Sequence, residues 1–173
     1  MNRLPGMEPP LEPFVPDKII SGGQTGVDRG ALDAAIELGI VHGGFCPAGR
    51  LAEDGMIPQQ YDLTEIRSRY YPDRTEKNIV ESDATLVLFE DVLRGGTALT
   101  RRLCRRLHVP YEAIDLRRDD AMDALHDWLH HVRPSVLNVA GPRESHSPGI
   151  AETARQLLIA TFRVGWLDRV SGQ

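Results

Sequence analysis

Three short stretches hold residue types suited to gripping an anion. The first is Gly22, Gly23, Gln24, Thr25 and Gly26, followed by Asp28 and Arg29. The second is Arg94, Gly95, Gly96 and Thr97, and the third carries Gly141, Arg143 and Ser145. Each combines glycine with a hydroxyl or a guanidinium group. Glycine lacks a β-carbon, so the backbone can close on a ligand. Hydroxyl groups add hydrogen bonds, and arginine adds charge-assisted ones. Where such a stretch opens a helix, its amides lack intrahelical partners and the dipole is positive, which favours phosphate or carboxylate. The expected chemistry is recognition of a phosphorylated small molecule. The stretches match neither the GxxxxGK[ST] loop nor the GxGxxG fingerprint, which argues against an ATPase or an ordinary dinucleotide dehydrogenase.

These residues cooperate only if the elements carrying them deliver them to one place. Each stretch follows an apolar run, Lys18–Ser21, Ala84–Phe89 or Ser135–Ala140, read as a buried strand. Val41–Phe45 and Tyr111–Asp115 read as further strands, and Cys46–Gln60 as a long loop. Helices are expected over Val27–Leu38, Arg74–Ser82, Thr97–Leu107, Ala121–Val132 and Pro148–Phe162. Asp73 and Glu76 have capping-box spacing, and Pro148 suits a first helical turn. Alternating strands and helices predict the α/β class, as a Rossmann-like, mainly parallel sheet with helices on both faces. All three turns then lie at the carboxyl edge, where ligands of such sheets bind. Residues 1–17 hold five prolines and no periodicity and are expected to form an arm. Residues 18–173 are expected to form one Rossmann-like ligand-binding domain.

Composition narrows the classes. The chain has 173 residues, 41% of them hydrophobic, and a net charge of −5. That disfavours a broad basic surface for duplex nucleic acid. No apolar run reaches the roughly 18 residues of a membrane span, and no membrane partner is expected. The first residues show no secretory pattern. The two cysteines, Cys46 and Cys104, form neither a disulfide framework nor a zinc pattern, so a cytoplasmic location is expected. His126 and His130 stand four apart without the glutamate of HExxH and read as a solvated face. Arg101, Arg102, Arg105 and Arg106 read as a solvated or subunit-facing stripe. No metal site is assigned.

The segments GGQTGVDRGALDAA, FCPAGRLAEDGMIP, YDLTE, RTEKNIVESDATLVL, RGGTALT and LNVAGPRESHSPGI run in this order through most of the chain. Together they resemble the putative molybdenum cofactor carrier family. That family is similar in turn to the wider Rossmann-like group of lysine-decarboxylase-like, nucleotide-binding proteins, which includes nucleotide-monophosphate phosphoribohydrolases. The resemblance implies a Rossmann-like fold, a homo-oligomer, and a pocket for molybdenum cofactor (molybdopterin) or a nucleotide-like ligand. Arg74 and Asn78, inside one matching segment, join the candidate ligand contacts. Ala48 stands in CPAGR where a basic residue is expected, and Arg50 is the nearest substitute.

The phosphoribohydrolase relatives carry PGGxGTxxE, whose glutamate is catalytic. Here the corresponding stretch runs Arg94 to Thr100 without an acid. No catalytic residue is therefore assigned, and a carrier or sensor is expected. The alternative is a nucleotide-processing hydrolase, with Asp28, Glu53, Asp54 or Glu76 supplying a carboxylate. The segment Gly49–Gly55 reads as a lid or a solvated loop.

Overall fold

A computed structural model describes the backbone of residues 14–171, with side chains through Arg163. Five strands form one parallel sheet in the order β2-β1-β9-β7-β8. They are β1 (Lys18–Ile20), β2 (Val41–Gly43), β7 (Ala84–Phe89), β8 (Tyr111–Asp115) and β9 (Val136–Ala140). Every pairing among them is parallel; Lys18 lies opposite both Val41 and Val136, and Thr85 opposite Asn138. The expected α/β, Rossmann-like architecture is present.

Helices α1 (Val27–Leu38), α4 (Ala121–Val132) and α5 (Ile150–Ser171) cover one face of this sheet. Their apolar stripes share a core with Ile19, Leu86, Leu88, Leu137 and Val139. On the opposite face, α2 (Tyr71–Val80) and α3 (Gly95–Leu107) meet through Ile79, Leu103 and Cys104, against Tyr111 of β8. The alternation of strand side chains divides the layers: Leu137 and Val139 enter the first core, while Asn138 between them pairs with Thr85 at 3.1 Å. Among the described residues no helix is long and apolar enough to cross a membrane.

Several local expectations are corrected. Helix α2 starts at Tyr71, because Pro72 suits its first turn, and the Asp73–Glu76 capping box does not form. Helix α3 starts at Gly95 rather than Thr97, and α5 at Ile150 rather than Pro148. Ile36 of α1 and Met122 of α4, apolar at helical spacing, are 43% and 42% exposed. The expected strand Val41–Phe45 breaks at Gly44 and resumes as β3 (Phe45–Cys46), which pairs with β6 (Thr64–Glu65). The expected long loop contains an antiparallel hairpin, β4 (Leu51–Ala52) and β5 (Gly55–Met56). Two-residue strands are too short to leave a periodic signal.

Residues 1–13 of the expected arm lie outside the described residues. Val15 is buried in the main core with Phe14 packed beside it, and the Asp17 and Lys18 amides both donate to Ser135 O.

Candidate functional site

Chain direction reverses about β9: the β1–α1–β2 unit runs to one side and β7–α3–β8 to the other. A crevice opens at such a switch point, at the carboxyl ends of the strands. The turns after β1, β9 and β7 rim it, and the outer two are two strand spacings apart, roughly 10 Å. A cavity of about 950 Å³ lies there. Of the sequence candidates, Gln24, Asp28, Arg74, Asn78, Arg94, Gly95, Gly96, Thr97, Gly141 and Arg143 line it. Gly22, Gly23, Thr25, Gly26, Arg29 and Ser145 do not.

The three turns are not equivalent. In the first, the Gln24 amide donates to Asp28 Oδ2 (3.2 Å), Thr25 N to Gln24 Oε1 (3.0 Å) and Val27 N to Pro142 O (3.2 Å). Gly26, at φ 82°, permits that last approach; a β-carbon there would stand 2.2 Å from Pro142 O. In the third turn, the Glu144 carboxylate accepts from the Gly149 and Ala151 amides and closes the start of α5. The second turn has no such internal anion. No side chain caps α3, the Thr97 and Ala98 amides return only to Arg94 O, and Gly95 and Gly96 are exposed. The positive end of α3 therefore faces the cavity without a neutralising carboxylate on it.

Thr25 and Ser145, read from sequence as anion contacts, meet an anion from within the chain. The Glu53 carboxylate, at the tip of the β4–β5 hairpin, accepts from both hydroxyls and from the Ser145 amide. These bonds, Ser145 first, hold its pKa below the usual glutamate value. Asp54 beside it pairs with Arg29, whose Nε donates to Gly23 O at 3.2 Å. The hairpin is thus fastened to two glycine turns and is not a loose lid. Arg50, the expected substitute for a basic residue at Ala48, is corrected to a structural role. It is 7% exposed and donates to Ile57 O, Pro58 O, Tyr61 O and Leu63 O. Asn78 lines the cavity, but both ends of its amide bond the Phe45 backbone at 2.9 Å.

The inner wall is built on Asp28, which is 3% exposed and bonds Arg74 Nη1 at 2.9 Å. Burial raises its pKa and outweighs the opposing pull of Arg74. Gly22 makes the pair possible, since a β-carbon there would fall 1.5 Å from Arg74 Nη1. Two donors of this wall, Gln24 Nε2 and Arg74 Nε, are buried without an acceptor.

Sequence reasoning missed several lining residues. Tyr71 stands one turn before Arg74, and the Arg143 guanidinium lies 4.8 Å from its ring centroid. Arg102, read as solvated, and Arg117, just past β8, complete five arginines around the cavity, against the acids Asp28, Glu90 and Asp91. Position beyond a strand end was an available signal for Arg117; Arg102 had none. Among the described residues, no group of three or more His, Cys, Asp or Glu is placed to hold a metal.

With the geometry in view, comparison with known proteins identifies the scaffold. A solved structure named putative molybdenum carrier protein, from Syntrophus aciditrophicus SB, superposes with a TM-score of 0.81 at 43% sequence identity. The match covers 87% of this chain and 94% of that one. No curated protein matches. The Circularly permutated YpsA SLOG family matches residues 19–162. A family match that runs from within β1 through the other four strands of the sheet, joined to a near full-length solved relative of the same fold, shows that this chain belongs to the circularly permutated YpsA SLOG family.

Proposed function

We propose that the protein binds a phosphorylated heterocycle in this cavity, as a carrier or sensor. The observation that carries the reading is the uncapped start of α3, open to a cavity ringed by five arginines. An anion at Gly95 and Gly96 gains the helix dipole, and Arg94 adds a charge-assisted hydrogen bond. Tyr71 offers a flat ring for the heterocycle. A phosphate-bearing pterin such as molybdenum cofactor has this chemistry, and the name of the Syntrophus relative supports it as cargo. The unpartnered donors Gln24 Nε2 and Arg74 Nε fit such an acceptor-rich cargo. Native mass spectrometry of freshly purified protein, followed by calorimetric titration with nucleoside monophosphates, tests this. Arg94→Ala should weaken binding about tenfold, the cost of one charge-assisted contact. Failure of every phosphorylated probe to bind would remove the reading.

A nucleotide-processing hydrolase is the second reading, favoured by Asp28. A carboxyl with a raised pKa in a cleft beside an arginine is the kind of group that serves acid–base chemistry. Sustained release of free base or phosphate from nucleoside monophosphates, abolished in Asp28→Asn, would establish it over carriage.

A further inference from the structure

Gln24 has an unusual hydrogen-bonding state for a side chain that is 4% exposed. Its Oε1 accepts from two backbone amides, Thr25 N at 3.0 Å and Glu53 N at 2.9 Å. Two donors on one atom fix which end of the carboxamide is oxygen. The other end, Nε2, is therefore held in place by bonds that are not its own, and it is buried with no acceptor. Buried side-chain donors without partners are uncommon in folded proteins, and each calls for an explanation: strain, a catalytic role, or a water, ion or ligand that completes it. Arg74 Nε, across Asp28, shares this condition. Both residues belong to the cavity wall on the β1 side, whereas the uncapped helix start lies on the β7 side.

We infer that Gln24 Nε2 donates a hydrogen bond to a neutral ring acceptor of the ligand, so that the cavity reads two ends of one molecule. This deepens the binding function proposed above and rests on it. The distance between the two sides sets the ligand class. Roughly 10 Å separates the turns after β1 and β7, more than a single phosphate ion bridges. A ligand that meets both needs an anionic group at Gly95 and Gly96 and a heterocyclic carbonyl or ring nitrogen several ångströms away. That is the size and polarity of a nucleoside monophosphate, and about 950 Å³ accommodates one. Because Gln24 Oε1 also holds Glu53 N, the group reading the ring is the same one that anchors the hairpin tip.

The test is calorimetric titration of the full chain with inorganic phosphate, with ribonucleosides, and with the matching ribonucleoside 5′-monophosphates. Gln24→Glu keeps an oxygen for Thr25 N and Glu53 N but lacks the donor. Gln24→Met is the uncharged control, so an effect common to both is not one of added charge. The expected result is that the preferred monophosphate binds wild type at least tenfold more tightly than phosphate or nucleoside alone. Both variants should lose tenfold or more for the monophosphate and leave phosphate affinity within twofold. Undiminished monophosphate binding by Gln24→Glu overturns the inference. A parallel loss of phosphate affinity also overturns it, because it would place the phosphate, not the ring, at Gln24. Wild type that binds phosphate and gains nothing from the nucleoside overturns the inference while leaving the anion site intact. Wild type that binds none of the probes removes the proposed function and this inference together.

Discussion

At Gly22 the absence of one methyl group decides whether Arg74 reaches Asp28. Gly22→Ala should drive the guanidinium off its partner, because flexible side chains yield before backbone does. An unpaired buried carboxyl costs about 3–5 kcal/mol, so a lower midpoint in urea is expected, with Arg74→Ala in the same range. The pH dependence of Asp28 has a definite sign. Its folded pKa lies above the reference value of 3.8, so its contribution to stability is fully present below that pH and is lost as pH rises through the folded pKa. Urea unfolding of wild type and Asp28→Asn over the pH range above the reference value of 3.8 should show wild type losing ground to the variant as pH rises. A wild type that gains on the variant over that window would contradict the burial argument.

Among elements, the β4–β5 hairpin behaves as a clasp. Its tip carries Glu53 and Asp54, which fasten it to Thr25, Ser145 and Arg29. Glu53 titrates in the opposite sense from Asp28: its contribution is present above the reference value of 4.5 and is lost as pH falls through its lower folded pKa. The Glu53 and Asp54 side chains are exposed, so the effect on global stability is small. Glu53→Gln should speed amide exchange in residues 51–56 with little change in the melting temperature. The loop that follows is a different case. Arg50 supplies donors to four carbonyls from Ile57 to Leu63, around a small core of Leu32, Cys46, Ile57, Tyr61 and Leu63. Arg50→Ala strips the donor from Ile57 O and Leu63 O, while Pro58 O and Tyr61 O keep the Tyr61 and Leu63 amides, and it should cost about 3 kcal/mol, read as a shifted thermal transition. It should leave the α3 anion site in place, since Arg50 does not line the cavity.

At the scale of the whole molecule, the strand formed last in sequence sits in the middle. β9 pairs with β1 on one side and β7 on the other, and α5, which follows it, packs on α1. The two halves of the sheet therefore have no direct pairing until residues 136–140 arrive. A chain cut after Arg133 should show no cooperative unfolding transition, because it lacks both the central ladder and the buried Ile150, Leu158 and Phe162. The intact chain should unfold in a single step. Pairings this distant in sequence also predict slower folding than in a helical protein of equal length.

Much of this protein was legible as a string. The boundaries of α1, α4, β7 and β8 fall where period and punctuation place them, because each is long enough to repeat its own pattern. The glycine turns marked one edge of the sheet, since a strand-to-helix turn in a parallel fold can point only one way. What the string did not disclose is which turns are already occupied. Glu53 reaches Ser145 across 92 positions, and Arg74 reaches Asp28 across 46. Such bonds leave no local trace, because a carboxylate in a loop reads the same whether it faces water or a distant amide. The residue types that can hold an anion were therefore fixed by sequence. Only the tertiary structure decided that, of the three glycine turns, the one opening α3 meets no carboxylate among the described residues, because it sets which internal carboxylate reaches which turn.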